Sequence, residues 1–302
     1  MAKKSRPDLT GELAELEKIK KLAIVAVFSD DELMERLVLK GGNALDLIHG
    51  ISTRASIDID LSMMDAFSDE EREQVEERLG LLIRQTFREN NYEVIDLSMK
   101  DRPPEVTADL AEFWGGYSIE FKLVHKNVFE EFAGDVEQLR RRAVQIGQGA
   151  RFIVEISKYE YTAGKQTVDL YGYQVYVYSP AMLAAEKLRA ICQQMPEYNE
   201  IVKRKRSGAA RARDFLDIHA IVNRCNVDMT TSENQGIIRN MFDAKRVPLT
   251  LLPQIRDHRE FHRSDFQAVR ATVKPGVVLE EFDCYFDFVL EIVKRLEPLW
   301  HV

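Results

Sequence analysis

The sequence predicts an α+β protein: a mixed sheet with flanking helices over residues 1–179, then an α-helical domain over residues 180–302. Three observations predict it. Two-residue alternation of apolar and polar positions recurs along the first part. Helical periods separate those segments. After Ser179-Pro180, an N-cap residue followed by a favoured first helical residue, only helical periods remain.

In order, helical periodicity fills Leu13 to Val27, and Ser29-Asp30-Asp31-Glu32 matches a capping box for a second helix. Leu37-Val38-Leu39 is a short apolar run that ends at Gly41-Gly42, and Ala44 to Ile48 reads as a helix. Ile57 to Leu61 alternates apolar and acidic residues, the period of a strand. Ser68-Asp69-Glu70-Glu71 opens an amphipathic helix to about Asn90. Strand patterns follow at Tyr92–Met99, Tyr117–Val124, Arg151–Tyr159 and Val175–Tyr178, with a helix around Val136–Ile146. Gly164 predicts a hairpin between Tyr159 and Val168. Beyond residue 180 the helices fall at Ala181–Gln194, Arg211–Asn223, Asn234–Phe242 and Leu279–Leu296. In the last of these, Phe282, Tyr285, Phe286 and Phe288 read as core aromatics.

Composition excludes several function classes. The longest strongly apolar run, Leu22 to Phe28, is far short of the ~20 residues that span a bilayer. Pro7 to Glu17 is too polar for a signal peptide, so no membrane association and a cytoplasmic location are expected. Cys192, Cys225 and Cys284 are widely spaced and odd in number, which excludes a disulfide framework and a Cys-based zinc site. His258 and His262 lie four apart in an Arg-rich stretch and read as surface residues. The net charge of −8 argues against indiscriminate coating of nucleic acid. One basic window stands out, with Lys203, Arg204, Lys205, Arg206, Arg211 and Arg213.

The residues that carry chemistry are Lys40-Gly41-Gly42-Asn43-Ala44 followed by Ile57-Asp58-Ile59-Asp60-Leu61. On a strand, Asp58 and Asp60 share a face about 7 Å apart, at ~3.3 Å per residue. Two such carboxylates suit magnesium, which takes hard oxygen ligands and completes its shell with water and substrate phosphates. Glycines entering a helix let the backbone approach phosphate oxygens. An Asp-x-Asp is also a common solvated strand face, and Gly-Gly a common turn. Their order together, strand, Gly-Gly, helix, acidic strand, points to phosphoryl or nucleotidyl transfer.

The segment Lys40–Leu61, with Arg54 and Ser56 before the acidic pair, resembles motif I of the AbiEii/AbiGii-type toxin nucleotidyltransferases. These toxins of type IV toxin–antitoxin systems belong to the DNA polymerase β-like nucleotidyltransferase superfamily. A second block is similar to the family's later motifs: Ala185-Glu186-Lys187-Leu188-Arg189-Ala190 and Arg213-Asp214-Phe215-Leu216-Asp217-Ile218. The resemblance implies the nucleotidyltransferase fold, an NTP substrate and Mg2+ or Mn2+ as cofactor. It implies nucleotide binding by Gly41, Gly42, Asn43, Arg54 and Ser56, and catalytic roles for Asp58, Asp60, Lys187 and Asp214. Lys187 would reach a phosphate from its helix, and Asp214 would orient it or assist proton transfer. The superfamily adds a third carboxylate, for which Glu155 is preferred over Glu120. The implied acceptors include the tRNA 3′ end, and the implied protein partner is a cognate antitoxin. Asn43 departs from the usual Ser or Thr, but an amide still donates a hydrogen bond. Two alternatives stay open: a protein or small-molecule hydroxyl as acceptor, and a degenerate fold serving only as a binding module.

Overall fold

The computed structural model describes residues 9–51, 58–145, 149–273 and 276–300. Seven strands form one sheet in the order β3-β4-β5-β2-β1-β7-β6. They are β1 (Val38–Lys40), β2 (Ile59–Ser62), β3 (Tyr92–Arg102), β4 (Gly116–His125), β5 (Phe152–Ser157), β6 (Lys165–Leu170) and β7 (Tyr173–Tyr178). The sheet is mixed: β2 pairs antiparallel with β1 but parallel with β5, and β1 runs parallel to β7.

The alternation read from the sequence is realised at the centre. Ile59 and Leu61 of β2, with Phe152, Val154 and Ile156 of β5, are buried on one face. Asp60, Glu155 and Ser157 take the other face and are half-buried. Paired residues share a face, so the register draws one polar row across five strands: Lys40, Asp60, Glu155, Ser118 and Lys100.

Before the sheet's central strands come α1 (Leu9–Phe28) and α2 (Asp31–Arg36); Gly41–Asn43 forms a short turn, α3, which passes into a π-helical turn over Ala44–Ile48. The cap of α2 is Asp30, which accepts from the Leu33 amide, whereas the Ser29 hydroxyl turns back to the Ala26 carbonyl. The capping box of α4 (Asp69–Glu89) forms as read, with Ser68 and Glu71 bonding reciprocally; such a cap contributes about 1 kcal/mol. Two short helices, α5 (Lys126–Glu131) and α6 (Val136–Arg141), lie between β4 and β5.

The hairpin expected around Gly164 does not form. β5 and β6 are separated by three strands of the sheet, and β6 instead pairs with β7. The reversal is at Tyr171-Gly172, both with positive φ, as a two-residue turn matched to strand twist requires. Asp169 accepts from the Gly172 amide and fixes that turn.

After β7 the chain is helical: α7 (Pro180–Cys192), α8 (Pro196–Ile201), α9 (Ala212–Arg224), α10 (Ser232–Asp243), a 3-10 segment over Leu249–His258, α11 (Arg259–Arg263), α12 (Phe266–Ala271), α13 (Phe282–Arg295) and α14 (Glu297–Trp300). Ser179 caps α7 and Pro180 opens it. α7 packs against α9, α10 and β7, and α13 packs against α9. The main core cluster draws residues from both the sheet and these helices, from Ile19 to Leu299. Phe282, Tyr285 and Phe286 are buried in it and stack around Phe215 and Phe266. His262, read as a surface residue, is buried: its Nδ1 accepts from the Arg211 amide, so it closes the start of α9.

Candidate active site

Gly41 has φ +68, and a Cβ there would overlap the Asp60 carboxylate. Glycine is therefore required both by the backbone and by the close approach of Asp60. Asn43 is fully buried, and its Nδ2 donates to the Asp58 carbonyl at 2.5 Å. The amide that replaces Ser or Thr thus ties the glycine turn to the acidic strand. Gly42 is buried beside it. Arg54 and Ser56 lie outside the described residues.

Asp58 stands just before β2 and is exposed; Asp60 sits within the strand. Burial pushes the Asp60 carboxyl up to about 6, reinforced by Glu186, Glu155 and Asp58 and opposed by Lys40. Burial also raises Asp58, partly offset by Arg102 and Arg213. Glu155 is the cross-strand partner of Asp60 and is held by Arg102. Glu120 is one strand further away, paired with Lys100 and Arg151. The preferred third carboxylate is thus the one beside Asp60.

Behind this row lies a buried ion cluster that sequence reasoning missed. Lys40 Nζ is 2.8 Å from Glu186 and 3.4 Å from Glu160. Glu160 also takes Arg189 at 2.7 Å and Lys245 at 3.7 Å. Burial would lower the Lys40 pKa, but Glu160 and Glu186 hold it raised; burial would raise Glu160, but Arg189, Lys40 and Lys245 hold it well below the carboxylate range. The visible signal was adjacency: Lys40 precedes the glycines, and Glu186 and Arg189 flank Lys187 within one block.

Lys187 and Asp214 meet, bringing α7 to α9. Lys187 Nζ lies 3.2 Å from Asp214 and 2.7 Å from Asp217, and all three are buried. Arg211 Nε is 2.7 Å from Asp214. Burial works to raise Asp214, but Arg211, Lys187 and Arg213 hold it far below the carboxylate range. Arg213, next in the chain, is exposed and acts on both Asp214 and Asp58, so the second block adjoins the first.

Among the described residues no three His, Cys, Asp or Glu side chains stand ready as a metal cage. The donor chemistry nonetheless fits a divalent cation. Asp58 and Asp60 are hard oxygen donors whose charge burial disfavours, at Asp60 together with neighbouring acids, and a cation between them would relieve that cost. Magnesium in particular takes few protein carboxylates and keeps positions for water and phosphate.

A mixed sheet that sets a glycine turn against an Asp-x-Asp strand is the architecture of a nucleotidyltransferase. The chain belongs to the AbiEii family: the model described as "Nucleotidyl transferase AbiEii toxin, Type IV TA system" matches residues 23–288. It is a toxin-type nucleotidyltransferase, a class that generally uses an NTP and a divalent metal. Its fold is shared with JHP933 from Helicobacter pylori, at TM-score 0.50 and 16% identity over 96% of this chain and 95% of that one. A putative nucleotidyltransferase from H. pylori aligns at TM-score 0.47 and 17% identity, over 96% and 98% of the two chains. MenT4, a nucleotidyltransferase toxin from Mycobacterium tuberculosis H37Rv, aligns at 0.44 and 15%, over 94% and 84%. No curated protein sequence matches the chain. No helix among the described residues is long and apolar enough to cross a membrane.

Proposed function

We propose that this protein transfers a nucleotide from an NTP to the 3′ hydroxyl of a tRNA, in a magnesium-dependent reaction at Asp58 and Asp60, in the cytoplasm and under control of a cognate antitoxin. The observation that carries this reading is the carboxylate pair, exposed Asp58 and half-buried Asp60, with Asp60 set against Gly41 and both acids raised by burial. A bound Mg2+ would supply charge stabilisation to the attacking and leaving oxygens. Asp58 and Asp60 would hold it, with Glu155 as third carboxylate. Without β-carbons, Gly41 and Gly42 would let the nucleotide phosphates come close to the backbone, and Asn43, Arg54 and Ser56 would complete the nucleotide contacts. The acceptor oxygen bonds to the α-phosphorus, the bond to the β-phosphate oxygen breaks, and pyrophosphate leaves.

In this reading residues 1–179 form the nucleotidyltransferase unit, and residues 180–302 form a helical unit that contributes Lys187 and Asp214. Lys187 would serve as a point charge for a phosphate, and its hold by Asp214 and Asp217 supports that role by fixing its position. Arg213, exposed beside Asp58, and Lys205 and Arg206, exposed in the same window, supply cations for an RNA backbone.

A smaller acceptor has one observation in its favour. Part of the basic window is consumed internally: Lys203 pairs with Asp109, Arg204 bonds Asn199 and the Gln193 carbonyl, and Arg211 binds Asp214. Incubation with α-labelled NTPs and total tRNA separates the two. The tRNA reading expects labelled tRNA with wild type and none with Asp58→Ala; equal labelling by both, or label only on protein, refutes it.

A further inference from the structure

The carboxylates are flanked on two sides, and only one flank has been used. On the β1 side lies the glycine turn. On the β5 side the sheet continues through β4 to the end of β3, where Arg102 pairs with Gly116 and Gly116 with Ser157. Arg102 lies on the same face as Asp60 and Glu155, because it is two residues on from Lys100 in the polar row. Gly116 has no side chain, so the long Arg102 side chain lies across β4 and reaches Glu155. Its guanidinium also acts on Asp58, whose pKa it lowers.

Beside Arg102 a hollow opens, lined by Lys158, Pro103, Pro104, Gly115 and Gly116. Its acid, Asp101, is already taken by Arg72 at 3.2 Å. Lys158 stands over the Tyr117 ring, with Nζ 4.9 Å from the ring centre, which holds the ammonium without neutralising it. The hollow thus carries two cations on its lining: the planar, forked Arg102 on the face of the proposed third carboxylate, and the point charge of Lys158 on its far rim, over Tyr117. Arg102 is more than half exposed and its pairing with Glu155 is a surface ion pair, worth little and readily exchanged for a phosphate.

Nucleotidyl transfer brings together two reactants. With the donor triphosphate on the glycine side, the acceptor must approach from the opposite flank to attack in line. A protein hydroxyl carries no obligatory phosphate beside the reacting oxygen. The cationic hollow suits an acceptor whose reacting hydroxyl has a phosphate a few ångström away, as the terminal nucleotide of an RNA does. We propose that Arg102, with Lys158 on the far rim of the hollow, forms the acceptor subsite, Arg102 binding the last phosphodiester of a single-stranded RNA 3′ end. This rests on the nucleic-acid acceptor reading above and names the residues that would select it.

The test uses the full chain and two short single-stranded RNAs, one natural and one whose last linkage is a neutral methylphosphonate. Binding is read by fluorescence anisotropy, NTP binding by calorimetry, and folding by thermal melting. Wild type is expected to bind the natural RNA about tenfold tighter, the effect of one charge-assisted contact. Arg102→Gln is expected to lose that preference, Lys158→Gln to reduce it, and both to bind NTP as wild type does. A preference that survives in both variants overturns the proposal, as does an Arg102→Gln variant weakened for NTP instead, which would put the hollow on the donor side. If wild type itself binds and labels no RNA while binding NTP, the nucleic-acid reading fails first, and the subsite with it.

Discussion

Two groups of charged side chains lie close together, and they are built on opposite principles. Where β2 meets β5, burial raises both Asp58 and Asp60, neighbouring acids raise Asp60 further, and the nearby cations do not offset this. Between α7 and α9, and around Glu160, every acid is met by cations within hydrogen-bonding reach, and Asp214 and Glu160 are lowered. Burial acts in the same direction on all four carboxylates. What differs is whether the chain itself supplies the counter-charge. We read the first group as built to receive a cation from outside, and the second as finished by folding, so that Lys187 is placed before any substrate arrives.

Removing a charge from the finished group should therefore damage the fold. Lys187→Met leaves Asp214 and Asp217 facing each other in the interior, which is expected to cost about 3–5 kcal/mol in urea unfolding; a loss under ~1 kcal/mol would deny that the cluster is integral. The same region should respond to acid. Burial lowers His262 to about 4 from its usual 6.5, so between those values the unfolded chain binds the extra proton and stability falls as pH drops. That contribution amounts to about 3 kcal/mol lost from pH 6.5 to 4. It is measured as the difference in pH slope between wild type and His262→Asn, and parallel slopes would refute it.

The open group should behave in reverse. Asp60→Asn is expected to reduce nucleotidyl transfer by at least ~100-fold, while leaving the urea midpoint unchanged or raised, since a disfavoured buried charge is gone. A collapse of stability comparable to that of Lys187→Met would erase the distinction. Gly41→Ala probes the contact between glycine turn and acid: positive φ and the overlap with Asp60 should cost about 1–2 kcal/mol. Unaltered stability would mean the turn tolerates a side chain.

Most of the fold was legible because its signals are local. Ser68 and Ser179 capped the helices they announce, and the alternation at Ile59–Leu61 gave the strand and its two faces. Gly164 misled because a glycine marks a turn without saying which strands it joins; pairing depends on partners far along the chain. The Gly41–Asp60 contact was approachable through order and spacing. The Glu160 cluster was not, since Lys40, Glu160, Arg189 and Lys245 each look like solvated charges until four elements bring them together. His262 failed for the same reason: an Arg-rich neighbourhood concealed a single buried acceptor. Arg102 had no motif to mark it, only a place in the register opposite Gly116.

What separates the two charged groups most directly is whether the open carboxylates take a divalent cation. Mn2+ titration followed by electron paramagnetic resonance, with and without NTP, measures this directly. Saturable Mn2+ binding that tightens with NTP and is lost in Asp60→Asn, but retained when Glu120 is changed to Gln, is the predicted result. Equal Mn2+ binding by wild type and Asp60→Asn would contradict it.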